Sequence, residues 1–259
     1  METFLLFFVV GALAQSVDGA LGMAYGVISS SVLLALGVPP AMASASVHGA
    51  EVFTTAASAG SHVWHKNVDW RLLTPLALAG VIGGCIGAYV LTGIQGDVIK
   101  PFIVAYLAVI GAYIVWRAGH DIKPRRLPSW LMAPTGAVGG FLDAVGGGGW
   151  GPTVSSTLVA AGQEPRRAIG TVNTAEFFLT VAISATFVWA LITGHWAEAG
   201  ALEHHAAAVG GLVAGGLLAA PFAGIITKRV PRKVLTYAVG ILLLALASFQ
   251  GLQLAGVLG

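Results

Sequence analysis

Two acidic residues set in apolar sequence, Asp18 and Glu51, recur as Asp143 and Glu176, 125 positions further on and at the same mutual spacing. Any fold of this chain must give both pairs equivalent surroundings, so this internal repeat constrains the architecture before any single segment does. Aligned without a gap, Val10–His62 and Thr135–Phe187 share 18 identities over 53 pairs. Shared Gly and Ala inflate such a score, so the informative matches are the acids, Ser30 with Ser155, Ser31 with Ser156, and Pro40 with Pro165.

Charge is scarce everywhere else. Hydrophobic residues make up 56% of the 259 positions and charged ones 9%, with a mean hydropathy of +0.84. Soluble domains carry about 25% charged residues to keep their surfaces wet. The chain therefore reads as a membrane protein, and the net charge of +2 says little until the charges are placed. Cys85 is the single cysteine, which excludes an internal disulfide and a cysteine-based metal site. The apolar N-terminal stretch carries only Glu2 among its early residues and lacks the basic start of a signal peptide, so it is expected to be a retained membrane segment.

Both copies follow one course. A short apolar segment (Phe4–Val17; Ser129–Leu142) leads to an acid and a glycine-rich stretch, GALGMAYG or AVGGGGWG. A second short segment (Val27–Leu36; Thr153–Ala161) ends in a proline turn. Three longer runs follow, near 42–64, 72–93 and 100–117 in one copy and 168–193, 205–227 and 233–256 in the other. About 20 apolar residues cross a 30 Å hydrocarbon core, so the long runs are expected to span. Each short pair fits a helical hairpin that dips in and returns to its own side, although two short crossings would give the same loop sidedness. The expected fold is an all-α polytopic membrane protein with two inverted-topology repeats, each a short hairpin with a glycine-rich tip plus three transmembrane helices. Residues 1–118 form the first repeat, 119–128 a cytoplasmic linker and 129–259 the second, within one membrane domain.

Placing the linker in the cytoplasm puts twelve of the 13 Lys and Arg residues on that side, with only Lys100 opposite. That obeys the positive-inside rule and turns the halves into opposite orientations, a plan used by secondary transporters. Both termini are then expected outside a cell (inner) membrane. Six tryptophans, at 64, 70, 116, 130, 189 and 196, fall near run ends as an interfacial belt, whereas Trp150 aligns with Tyr25 at the tips. Gly80, Gly84, Gly87, Gly211 and Gly215 suit close helix packing.

Seven of the 11 acids fall in loops or at the terminus. The other four, Asp18, Glu51, Asp143 and Glu176, are expected near the bilayer centre, where each costs roughly 2.5–3.5 kcal/mol on insertion scales. Their expected role is proton coupling. His48 stands one turn before Glu51, with Asn173 as its repeat partner, so both are substrate-binding candidates beside the acids. Gly146, Gly147, Gly148 and Gly149 precede a helix start near Pro152, where free amides attract anions. With Trp150, Tyr25, Ser30, Ser31, Ser155 and Ser156 they form a candidate anion cradle that needs no buried cation.

The stretches AQSVDGALGMAYG, GVPPAMASASVHGAE, KNVDW, GGFLDAVGGGGWGPTVSS and PRRAIGTVNTAEF resemble, in order and over essentially the whole chain, the sulfite exporter TauE/SafE family, also called toluene sulfonate uptake permeases. The resemblance implies transport of a small sulfur-containing anion such as sulfite, a sulfonate, sulfoacetate or thiosulfate, by export or uptake. The first tip lacks the tetraglycine of the second, so unequal roles are expected. Neither a catalytic residue nor a cofactor is expected. The partners are the anion and membrane lipid, with a homodimer admitted; nucleic acid is not expected, and the chain carries no ATPase motif. Two other readings use the same acids: a divalent-cation permease employing His48, and an intramembrane diaspartyl enzyme employing Asp18 and Asp143.

Overall fold

The computed structural model describes residues 1–21, 23–120, 129–160, 162–196, 202–220 and 231–257. Their regular structure is entirely helical, with no strand among them. The first half contains α1 (Glu2–Leu21), α2 (Tyr25–Ala35), α3 (Pro40–Trp64), α4 (Trp70–Thr92) and α5 (Gly96–Gly119). The second contains α6 (Met132–Gly146), a π-helical turn (Gly151–Ser155), α7 (Ser156–Ala160), α8 (Pro165–Ile192), α9 (Leu202–Ala219) and α10 (Arg232–Leu254). The hairpin helices run further than the apolar segments alone suggest, so Asp18 and Asp143 sit in the last turns of α1 and α6.

Proline sets the entry of both central helices. Pro39 or Glu164 precedes the first turn and Pro40 or Pro165 occupies it, where a missing N–H costs nothing and the fixed φ already suits a helix. Among the described residues, four helices are long and apolar enough to cross a membrane: α4, α5, α8 and α10. α3 matches them in length, about 37 Å for its 25 residues, but the polar residues it turns toward the interior lower its hydropathy. The run expected over 205–227 is helical through Ala219, and residues 221–230 lie outside the described residues, as does most of the linker.

The main helix pairs are α4 with α6, α1 with α9, α5 with α10, α3 with α8, α4 with α8, and α3 with α9. Exchanging the halves maps this set onto itself. The exchange is visible at single residues, because Thr55 and Thr180, 125 apart, place their hydroxyls 3.3 Å from each other between α3 and α8. Glycine makes the tightest of these contacts possible. A Cβ on Gly83 would lie 2.0 Å from the Ala137 carbonyl oxygen, and one on Gly215 2.0 Å from that of Phe8. Backbone thus meets backbone in the α4–α6 and α1–α9 pairs, as in close membrane-helix packing.

Apolar side chains also cover the outside, where Phe102, Val109, Ile192 and Leu218 are exposed. Trp64, Trp70, Trp116, Trp130 and Trp189 are exposed near helix ends. Trp196 departs from the expected belt: it is buried, with its ring centroid 5.7 Å from that of Phe187. Cys85 is half-buried on α4 and faces the Ala182 carbonyl of α8 at 3.9 Å.

Candidate functional site

The two hairpin tips meet. A Cβ on Gly148 would sit 2.2 Å from both the carbonyl carbon of Gly26 and the amide nitrogen of Val27, and one on Gly26 would sit 2.9 Å from Oε1 of Glu51. Gly147, Gly148 and Gly149 all have positive φ, at 67°, 149° and 155°, a region that glycine enters at little cost. The Gly148 amide donates to the Asp143 carbonyl at 3.0 Å and closes α6. The Tyr106 ring packs on Gly146, and its hydroxyl donates to the Gly148 carbonyl at 3.4 Å. The tetraglycine is therefore needed to turn the chain and bring the tips together, before any ligand is considered.

Each tip folds back on its own acid. Asp18 Oδ1 accepts from the Tyr25 amide at 3.3 Å, and Asp143 Oδ1 accepts from the Trp150 amide at 2.8 Å. These are the same bond in the two repeats, and each carboxylate gives an acceptor to one of the N–H donors that a helix start leaves unpaired.

The aromatic residues then diverge. The Tyr25 hydroxyl donates to the Leu212 carbonyl at 3.0 Å, and the side chain borders a small polar cavity. Trp150 is fully buried, donates from Nε1 to the Val172 carbonyl at 3.1 Å, and lies against Gly80. Its surroundings are those of a packing residue.

The four acids converge. If ionised, Glu51 would be repelled by Glu176, Asp143 and Asp18, and Glu176 by Asp18 and Asp143. Three of them, Asp18, Glu51 and Glu176, line one cavity together with Gln15, Tyr25, Thr54, Thr55, Ser58 and Asn173. Its free space, ≈ 10 Å³ for a water-sized sphere, is about what one water molecule needs. Gln15 Oε1, Glu51 Oε2 and Asn173 Oδ1 are buried there without a hydrogen-bond partner. Asn173 Nδ2 donates to Ser58 Oγ at 3.0 Å.

His48 belongs elsewhere. The sequence places it beside Glu51, one turn away on α3, but the structure pairs it with Asp143, whose Oδ2 lies 3.1 Å from Nε2. Its Nδ1–H donates to the Ser44 carbonyl at 2.8 Å, and Ser44 Oγ donates to the Ala144 carbonyl at 2.6 Å. A carbonyl only accepts, so Nδ1 carries a hydrogen. The Nε2···Oδ2 contact then holds one proton, whether as imidazolium with carboxylate or as imidazole with carboxylic acid. Both side chains are almost fully buried, at 0% and 2% exposed, so the pair forms a proton-sharing unit withdrawn from solvent.

The serine pairs complete the placement of the expected residues. Ser30 and Ser31 lie buried in α2, where Ser30 Oγ donates to the Val27 carbonyl at 3.4 Å and Ser31 Oγ has no partner. Ser155 and Ser156 face a different cavity on the other side of the tips. The expected cradle is thus divided: Tyr25 and Asn173 join the acids, His48 bonds Asp143, and the glycines join the tips. Among the described residues, no three of His, Cys, Asp or Glu are arranged to hold a metal ion. Gln15, Thr54, Thr55 and Ser58 escape the sequence reading, although Glu51, Thr54, Thr55 and Ser58 follow the i, i+3, i+4, i+7 spacing of one helix face.

Residues 7–249 match the family described as sulfite exporter TauE/SafE. The chain belongs to the TauE/SafE family. It is 41% identical over 247 residues to a probable membrane transporter protein, YtnM, of Bacillus subtilis (strain 168), an alignment that covers 93% of this chain and 80% of that protein. No solved structure matches it. This TauE/SafE chain is accordingly an integral membrane transporter and not an enzyme.

Proposed function

We propose that this protein is a secondary transporter of the cytoplasmic membrane that moves a small sulfur-containing oxyanion by alternating access, coupled to protons. The observation that carries the reading is the meeting of two repeat-related hairpin tips beside a cavity the size of one water lined by three carboxylates, with Asp143 held at the second tip. Such a centre is closed to an oxyanion as it stands. Admitting one requires the tips to separate from one side or the other, and the exchange-symmetric helix pairing supplies two halves that can trade roles. On this reading the halves are inverted in the membrane and both termini lie outside.

Proton coupling follows from charge. An anion entering beside ionised Asp18, Glu51 and Glu176 is repelled, and protonating them removes the repulsion. The His48–Asp143 pair adds a group that can pass one proton without leaving an isolated buried charge. The substrate class is drawn from the family; the TauE/SafE description names sulfite export.

Uptake of labelled sulfite, thiosulfate and toluenesulfonate into proteoliposomes under an imposed pH gradient tests the proposal. Glu51→Gln and Glu176→Gln are expected to fold and to abolish gradient-driven accumulation. Accumulation in both variants that follows the pH gradient as in the wild type refutes the coupling role. Failure of the wild type to move any sulfur oxyanion refutes the substrate class.

A further inference from the structure

We infer that Arg117 is the cation of an anion site near the cytoplasmic end of the molecule, shaped for an organic sulfonate with a hydrocarbon group rather than for bare sulfite. The inference rests on the transport reading above and on the sidedness set by the basic loops. Arg117 lies in the last turn of α5 and borders a cavity of ≈ 230 Å³. Nη1 of its guanidinium is buried without a hydrogen-bond partner. A basic residue at a helix C-terminus is ordinary, because it opposes the helix dipole and marks the inner side. A guanidinium nitrogen withdrawn from water with nothing to donate to is not, because the lost hydration is uncompensated.

The lining states the ligand's chemistry. Ser155 and Ser156 share the cavity with Arg117, while Leu21, Met23, Ile114 and Ile169 supply apolar walls. Sulfite offers oxygens or a lone pair in every direction and would leave those walls dry. A sulfonate head on Arg117 with an aryl or alkyl group against the walls satisfies both ends. Met23 comes from the first tip and Ser155 and Ser156 from the second hairpin, so an occupant touches both moving parts.

The repeat marks Arg117 as a departure from the pattern. The equivalent serines of the first half, Ser30 and Ser31, lie beside α10, the counterpart of α5. There Gln250 is fully buried and donates from Nε2 to the Ser31 carbonyl at 3.3 Å. The Ser31 backbone is served by a neutral amide, whereas Ser155 and Ser156 share their cavity with a cation.

The test uses the full-length protein in lipid nanodiscs, with binding of p-toluenesulfonate and sulfite measured calorimetrically. The wild type is expected to bind toluenesulfonate at least tenfold more tightly than sulfite. Arg117→Gln is expected to weaken toluenesulfonate at least tenfold, with Arg117→Lys weakening it less. Ile169→Trp, which fills the apolar end, is expected to weaken toluenesulfonate tenfold while changing sulfite less than twofold, and it decides the matter if Arg117→Gln does not fold. Unchanged toluenesulfonate affinity in Arg117→Gln, or equal losses for both anions in Ile169→Trp, overturns the inference. Native mass spectrometry with phosphatidylglycerol separates a lipid phosphate from the free anion. Loss of bound lipid in Arg117→Gln with unchanged sulfonate affinity assigns the cavity to a headgroup and overturns the proposal. Wild-type uptake in liposomes is measured in parallel, so a transporter with unaltered Arg117→Gln binding refutes this site alone, whereas a wild type that transports nothing refutes the broader function.

Discussion

Replacing Gly148 by Ala tests whether the tips meet as described. The new methyl would stand 2.2 Å from the Gly26 carbonyl carbon and the Val27 amide nitrogen. Both neighbours are backbone of the first turn of α2, so no side chain can rotate away and a helix must shift. Overpacking of this kind costs about 1–3 kcal/mol. A φ of +149° adds strain of about 1–3 kcal/mol for a residue with a Cβ. Two other glycines isolate these contributions. Gly37 has a φ of +83° with nothing near its Cβ position, so Gly37→Ala carries the backbone strain without the clash. Gly60 is helical with open space around it, and Gly60→Ala should gain about 0.5–1 kcal/mol. At roughly 2–4 °C per kcal/mol for a chain near this size, Gly148→Ala should melt on the order of 10 °C below wild type. Gly37→Ala should fall by about 3–5 °C and Gly60→Ala should rise slightly. Thermal unfolding of the purified protein, followed by tryptophan fluorescence, gives all three values. A Gly148→Ala midpoint within 2 °C of that of Gly37→Ala would mean that the tips do not touch, and the central site built on their contact would fall.

The His48–Asp143 pair should behave as a unit. Asp143→Asn and His48→Gln should each cost about 3–5 kcal/mol by stranding a buried partner, with a double-mutant coupling of about 2 kcal/mol in denaturant unfolding; additive losses contradict the pairing. Thr55→Cys with Thr180→Cys, in a background lacking Cys85, should cross-link in the membrane under mild oxidation, whereas Thr55→Cys with Phe187→Cys should not. Trp150→Phe should destabilise by about 1–2 kcal/mol through the unpaired Val172 carbonyl while leaving anion affinity within twofold. A tenfold loss of affinity would return Trp150 to the binding site.

Much of the fold is legible because lipid permits few solutions. A chain built of apolar runs of about 20 residues satisfies its backbone in lipid as helices, and the repeat register relates residues that meet, as Thr55 and Thr180 do. The site is legible only in outline. Membership of the central cluster follows from polarity in an apolar context, which finds Asp18, Glu51, Asp143 and Glu176. Pairing does not follow, because helical spacing relates His48 to Glu51, while the partner that binds it arrives from 95 residues away when the second tip docks on α3. Arg117 is hidden for a related reason. Among the twelve basic residues that the positive-inside reading places on one side, nothing local marks the one whose Nη1 is buried without a partner. Trp196 misleads because proximity to a run end normally means the interface, whereas here the outer ends of α3 and α8 leave a recess that its ring helps to line.

The differences between the halves bear on mechanism more directly than their likeness does. A carrier with two identical inverted halves would weigh its inward-open and outward-open states equally, because exchanging the halves converts one into the other. This chain breaks that equality at three equivalent places. Asp143 is tied to His48, whereas Asp18 faces the cavity. The second tip turns on three consecutive glycines of positive φ, the first on Ala24 at a φ of 134°. Ser155 and Ser156 line a cavity with Arg117, whereas the Ser31 carbonyl accepts from Gln250. The first difference ties the second hairpin to α3, and on the proposed sidedness the third makes the cytoplasmic side the more attractive to an anion. On the alternating-access reading, the first hairpin is therefore the element that gives way first, and the resting population is set by these few side chains rather than by the shared backbone plan.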